Sequence, residues 1–215
     1  MGQEIPKQFI RLGDLPVLMH TLLAFRKADP AIEIILVLPE SQMEVWAAIC
    51  RDFQFNEPHK TVPGGDTRFE SVKNGLELIP DHSLVAIHDG VRPFVSKEMI
   101  INGFALAEKE GNAIPVIPLN DSIREIKAEG NISLDRQRFR LIQTPQCFRT
   151  NLLKEAYRQA ASSPFSGFTD DASVTEAFGH AIHLFDGDPL NIKITYASDL
   201  IIADGFLKFL RINGN

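Results

Sequence analysis

Val85-Ala86-Ile87-His88-Asp89-Gly90-Val91-Arg92-Pro93 is the stretch on which the fold turns. An apolar run rises and stops at a charged pair and a glycine, the pattern of a buried parallel strand that ends at a site. In open α/β sheets, ligands sit beyond the carboxyl ends of the strands. Asp89 therefore stands where a carboxylate can hold a metal ion, or where it can cap the following turn. Arg92, three residues on, is placed to meet a phosphate or to lock the loop. Gly90 lets the backbone approach a ligand closely, and Pro93 ends the strand.

Working outward, the chain alternates strand and helix. A helix is predicted from about Pro16, with Leu18, Thr21, Leu22 and Phe25 on one face. Ile32 to Leu38 reads as a buried strand stopped by Pro39, and Ser41 with Glu44 as a capping box opening a helix that turns Val45 and Ile49 inward. Lys60 to Pro63 is a short strand broken at Gly64-Gly65. Thr67 with Glu70 gives a second capping box. A helix from about Ser96 to Glu110 and a strand from Asn112 to Ile117 continue the rhythm. Helices near Thr150, 170–178 and 197–210 and strands at Ala181 to Phe185 and Asn191 to Thr195 complete it. The order argues for a doubly wound, mainly parallel α/β sheet. One interruption stands out. At about 121–136, polar and apolar residues alternate around Ala128-Glu129-Gly130-Asn131, which predicts an inserted β-hairpin, either a surface excursion or an arm that pairs with another subunit.

A chain of 215 residues is expected to form one domain, 1–215, with ample core. The net charge of −6 argues against a nucleic-acid or polybasic membrane surface. Cys50 and Cys147 suit no metal spacing and read as buried free thiols of a reducing cytosol. No apolar run is long enough to span a bilayer, and Met1 to Phe9 does not read as a secretion signal. Walker A, HExxH, zinc and nucleophile-elbow motifs are all missing, which removes most hydrolase and ATPase readings.

Several residues remain as candidates for chemistry. Gly64-Gly65-Asp66 lies between a strand and a capped helix, a corner that can grip a base or ribose or can simply be a tight turn. Lys7 is a mobile cation in an early loop. Lys193, flanked by isoleucines, faces a site or snorkels at a sheet edge. Thr144 and Thr169 offer hydroxyls beside turns, and Thr169 is also a good helix N-cap with Asp170 and Asp171 in the first turn. His88 reads as a hydrogen-bonded structural histidine in preference to a general base.

Together these segments resemble the bacterial 2-C-methyl-D-erythritol 4-phosphate cytidylyltransferase family of the non-mevalonate isoprenoid pathway. The resemblance rests on Pro6-Lys7-Gln8, Gly64 to Arg68 with Ser71-Val72, His88 to Pro93, Asp135-Arg136, Gln143-Thr144-Pro145-Gln146, Thr169 to Ser173 and Asn191 to Thr195, in the family's order. It implies a Rossmann-like nucleotidyltransferase fold and a reaction. The methylerythritol phosphate attacks the CTP α-phosphate in line and releases pyrophosphate. Mg²⁺ or another divalent cation, placed with help from Asp89, neutralises the triphosphate. By the same resemblance Lys7, Lys193 and Asp89 are catalytic. Gly64, Gly65, Asp66, Ser71, Asp89 and Gly90 surround CTP. Ser122, Arg136, Thr144, Thr169, Lys193 and Arg92 surround the acceptor. Ser122 and Arg136 lie on the hairpin arm, which in the family crosses a homodimer and serves the partner's site.

One departure accompanies this match. The family begins with a strand and a glycine-rich loop, Ala-Gly-Gly-x-Gly-x-Arg-Met-Gly, of which Met1-Gly2 matches only the tail. Loss of that central strand is expected to leave an apolar slot or a new sheet edge. Two alternatives follow: a pentitol phosphate such as ribitol 5-phosphate as acceptor, or a catalytically impaired dimeric binding protein.

Overall fold

The computed structural model describes residues 5–163 and 167–212, so the Met1-Gly2 match lies outside the described residues. The chain opens with a 3-10 turn, Lys7–Phe9, and a small ribbon of β1 (Arg11–Leu12) and β2 (Leu15–Pro16). Helix α1 (Val17–Ala28) follows, and it buries Leu18, Thr21, Leu22 and Phe25 as their spacing predicts. Strand β3 (Ile35–Leu38), α2 (Glu40–Asp52), β4 (Lys60–Pro63), α3 (Arg68–Leu76) and β5 (Leu84–Ile87) continue the alternation. Helix α4 (Lys97–Glu110) starts at Ser96, whose hydroxyl accepts from Met99 N, and stops at Gly111 in the left-handed region, φ +96°. Then come β6 (Asn112–Pro118), the hairpin β7 (Ile123–Ile126) and β8 (Asn131–Leu134), a 3-10 turn at Arg136–Arg138, β9 (Arg140–Ile142) and β10 (Gln146–Arg149). Helices α5 (Thr150–Ala161) and α6 (Asp171–Ala177), β11 (Leu184–Asp186) and α7 (Ala197–Ile212) complete the described chain.

The main sheet runs β11-β6-β10-β5, with β9 also on β6. Strand β10 is antiparallel to both β5 and β6, so those two run the same way, and β11 is parallel to β6. Strands β3 and β4 are parallel to each other. The result is the expected α/β architecture, with β9 and β10 as the reversed strands.

The sheet is divided. Strand β3 pairs with β4 and β5 with β10, and no ladder joins β3 to β5. Between those two strands lies a cavity of about 660 Å³, walled by Leu36, Leu38, Val85 and Ile87 and closed by Leu22 of α1 and Leu76 of α3. The walls are apolar because these strands read as interior strands. Their four-residue facing edges match one extended segment about 13 Å long.

Several local expectations are corrected. Helix α2 begins at Glu40 after Pro39, with no side-chain cap, so Ser41 and Glu44 form no capping box. That start turns Trp46 inward and leaves Val45 exposed, with Ile49 only half-buried. Strand β3 is confined to Ile35–Leu38, where β4 supplies a ladder. Residues 181–183 precede β11 instead of belonging to it. Residues 191–195 form no strand; Ile194 N donates to Val91 O at 2.9 Å, in the loop after β5. Cys147 is buried and free as expected, whereas Cys50 is free but only half-buried.

Candidate active site

Asp89 lies just past the end of β5 and gathers two cations. Its Oδ2 accepts from Arg92 Nε at 3.0 Å and sits 3.2 Å from Lys193 Nζ. Desolvation pushes the carboxyl pKa up, but Lys193 and then Arg92 outweigh it and hold the group below its ordinary value of 3.8. Asp89 therefore stays ionised. Arg92 also donates to Asn191 O at 2.8 Å, which ties the loop after β5 to the segment carrying Lys193. The loop lock, one of the two readings offered for Arg92, is made by these contacts. Lys193 is 46% exposed, so its ammonium reaches solvent while touching Asp89.

Gly90 O accepts from Thr21 Oγ1 at 3.0 Å, and a Cβ at Gly90 would stand 3.0 Å from Leu18 Cδ1. The backbone at Gly90 thus lies close against α1. His88 bridges Arg92 O and Thr144 Oγ1, each at 3.1 Å, and packs edge-on to Phe25. Burial lowers its pKa to about 4, so the imidazole is neutral. It is the structural histidine that the sequence suggested.

The Gly64-Gly65-Asp66 corner joins β4 to α3. Gly64 N donates to Leu38 O at 2.8 Å, and Gly65 N donates to Ser71 Oγ at 3.1 Å. A Cβ at Gly65 would fall 2.3 Å from Glu70 Cβ, so the close packing of the capped helix requires glycine. The predicted Thr67–Glu70 capping box is present. Asp66 is exposed beside it.

Opposite stands a buried polar layer. Thr144 Oγ1 accepts from Asp89 N at 3.1 Å. Asn191 Nδ2 donates to Thr144 O at 2.8 Å. Gln146 Oε1 accepts from Asp171 N and Ala172 N, both at 3.0 Å, and its Nε2 donates to Asp170 Oδ2 at 2.7 Å. The cap of α6 is Asp170, not Thr169, because a capping box of Asp170 with Ser173 starts the helix one residue later. Thr169 is exposed, and its N–H donates to Ser173 Oγ at 3.2 Å.

The structure thus brings together Asp89, Gly90, Arg92, Thr144 and Lys193; Ser71, which is bonded to Gly65, lines the same cavity as Asp89 and Gly90. Lys7 is exposed, and its charge acts on Asp199 near the start of α7; its neighbour Gln8 lines the cavity. Ser122 and Arg136 are exposed on the hairpin, and Arg136 donates to Asn120 O. Sequence reasoning missed the roles of Gln146, Asn191, Tyr157 and the Arg68–Asp171 pair. The adjacent Asp170 and Asp171 were the available signal, since one caps while the other is buried.

Among the described residues, no group of three or more His, Cys, Asp and Glu side chains is arranged to hold a metal ion. A single carboxylate still fits Mg²⁺, which usually takes one or two carboxylates and otherwise substrate phosphates and water. No helix is long and apolar enough to cross a membrane among the described residues.

The family model of 2-C-methyl-D-erythritol 4-phosphate cytidylyltransferase matches residues 1–209. The chain belongs to this family. A relative of that name from Bacteroides thetaiotaomicron is 48% identical over 207 residues, covering 96% of this chain and 93% of the relative. One from Porphyromonas gingivalis is 48% identical, with 94% and 90% covered. Among solved structures, the Thermus thermophilus cytidylyltransferase superposes with a TM-score of 0.79 at 33% identity, covering 94% of each chain. The 4-diphosphocytidyl-2C-methyl-D-erythritol synthase of Anaerococcus prevotii gives a TM-score of 0.84 at 29% identity, with 96% and 92% covered. Membership makes the protein a nucleotidyltransferase that moves a cytidylyl group from CTP to 2-C-methyl-D-erythritol 4-phosphate in isoprenoid synthesis.

Proposed function

We propose that the Asp89 cluster is the centre at which this cytidylyl transfer occurs, with CTP on the Gly64–Ser71 side and the methylerythritol phosphate on the Thr144–Lys193 side. The observation that carries the reading is the Lys193–Asp89–Arg92 contact at the end of β5. It sets a solvent-reaching cation beside a fixed carboxylate. An acceptor phosphate oxygen attacks the α-phosphorus of CTP, a new P–O bond forms, and the bond to pyrophosphate breaks. The nucleophile is already an anion, so no general base is required. Rate enhancement then comes from alignment and charge. Lys193 and Lys7 offset phosphate charge; Gly64, Gly65, Asp66, Ser71 and Gly90 hold the nucleotide; Thr144, Thr169 and Arg92 shape the acceptor side. Asp89 would hold a divalent cation such as Mg²⁺, which when bound neutralises phosphate charge.

The partners in this reading are CTP, a polyol phosphate and a second copy of the chain, not nucleic acid or membrane, and the setting is the cytoplasm. Residues 1–215 act as one domain. The exposed Ile126 and Ile132 on the hairpin support an arm that is covered in a homodimer, where Ser122 and Arg136 serve the partner's site.

The test is pyrophosphate release with CTP, Mg²⁺ and methylerythritol phosphate, with ribitol 5-phosphate as control. It is run on this chain and on a version carrying an N-terminal strand and glycine-rich loop of the family pattern. Turnover specific to methylerythritol phosphate supports the reading. Faster use of ribitol 5-phosphate replaces the acceptor. Silence of both versions overturns the reading, while activity only in the extended version assigns the cavity between β3 and β5 to that strand.

A further inference from the structure

Arg68 and Asp171 are 103 residues apart in sequence, yet each is the first residue of a helix, α3 and α6. Their side chains meet as a fork. Arg68 Nη2 donates to Asp171 Oδ2 at 2.6 Å and Nη1 to Oδ1 at 3.2 Å. Tyr157 of α5 donates its hydroxyl to the same Oδ1 at 2.6 Å. The Asp171 carboxylate is fully buried, whereas Arg68 is 39% exposed at the cavity wall. Burial, then the carboxylate, pushes the Tyr157 phenol up, so it remains a donor.

A buried ion pair is a weak device for stability alone, since apolar residues of equal volume serve as well. Its particular property is geometric: a planar fork against a carboxylate has one good arrangement. What the arrangement joins is specific. Thr67, the cap of α3, directly follows Gly64-Gly65-Asp66, and Asp170, the cap of α6, directly follows Thr169. Gln146 extends the link, because it holds Asp171 N and lies two residues after Thr144, the partner of Asp89 N.

We propose that the Arg68–Asp171 pair, braced by Tyr157, is a positioning joint that sets the separation between the nucleotide corner and the acceptor corner. This rests on the reading of the two corners given above. In a reaction governed by alignment, a shift of about 1 Å can cost roughly 100-fold in rate. The joint therefore acts on kcat without touching either substrate.

The experiment has two arms. In the first, spin labels at Lys73→Cys on α3 and Glu176→Cys on α6, in a Cys50→Ala chain, report the distance between the helices. A single narrow distribution is expected, broadened by Asp171→Asn and Arg68→Met and less so by Arg68→Lys and Tyr157→Phe. An unchanged distribution in a folded Asp171→Asn protein overturns the joint. Should Asp171→Asn not fold, Tyr157→Phe carries the decision, since it removes one hydroxyl and keeps the ring packing. In the second arm, on the active version, kcat falls about 10- to 100-fold while both KM values stay within about threefold. A lowered melting temperature with unchanged kcat means a structural role only and overturns the proposal. If no version turns over, the function reading fails, and the distance arm still decides the joint.

Discussion

The two halves of the sheet are built from similar sequence and end up in different states. In one half, β6 carries Ala113, Ile114 and Val116, all buried, with β10, β9 and β11 laid along it. In the other half, β3 carries Ile35-Leu36-Val37-Leu38 but alternates half-buried and buried residues, the two faces of the pleat, with β4 on one edge and the cavity at the other. The polar groups differ in the same way. Thr144, Gln146 and Asn191 are buried and bond to distant segments of the chain, whereas the Gly64–Ser71 corner is bonded locally. Burial is a property of neighbours. An apolar run specifies that a strand wants two covered faces and two paired edges, and the rest of the chain decides how many it receives.

The largest effect that would sharpen this contrast is in stability. Phe148→Ala, at 0% exposure in β10, is expected to cost about 3–5 kcal/mol. Leu36→Ala, on the cavity wall, should cost about 2 kcal/mol, the low end for such a truncation, because its side chain already lacks partners on one side. Urea denaturation of both variants measures this, and equal costs would break the comparison.

Next is Lys193→Ala, at the end of the well-tied half. Loss of a charged contact of this kind costs about 10²–10³ in rate. The fold should hold, since the pair is part-exposed and Arg92 still satisfies Asp89. Steady-state kinetics on the active version and a thermal melt test it; unchanged kinetics refutes the acceptor assignment of Lys193.

A smaller difference is expected in local opening. Amides of β3 and β4 should exchange at least about tenfold faster than those of β6 and β10, since the former pair forms the less covered unit. Uniform protection across both halves would remove the distinction. The two thiols give a simpler readout. Burial pushes Cys147 on β10 up to about 12, and it also raises Cys50 on α2, which is half-buried. At pH 8, a disulfide reagent should label Cys50 in the native protein and reach Cys147 only on unfolding. Simultaneous labelling would show that the halves open together.

Much of this was legible in the chain. The strand–helix rhythm, the hairpin and the Thr67–Glu70 cap follow from local spacing and side-chain chemistry, and the structure contains them. The readings that failed were those in which a local signal had two solutions. Ser41 and Glu44 fit a cap, but Pro39 starts α2 earlier. Asn191 to Thr195 has a strand composition, but no neighbouring edge accepts it. Thr169 and Asp170 are both good caps, and the reciprocal bonds of Ser173 choose Asp170.

The sequence by itself determined the fold class, the family and the placing of Asp89 after a buried strand, because periodicity and motif order are written in neighbouring residues. Tertiary structure alone decided that Arg92 and Lys193 share Asp89, that Arg68 meets Asp171, and that a cavity separates β3 from β5. These are contacts between distant segments. Their energy depends on which groups are desolvated together, and that is fixed only when the chain has closed around them.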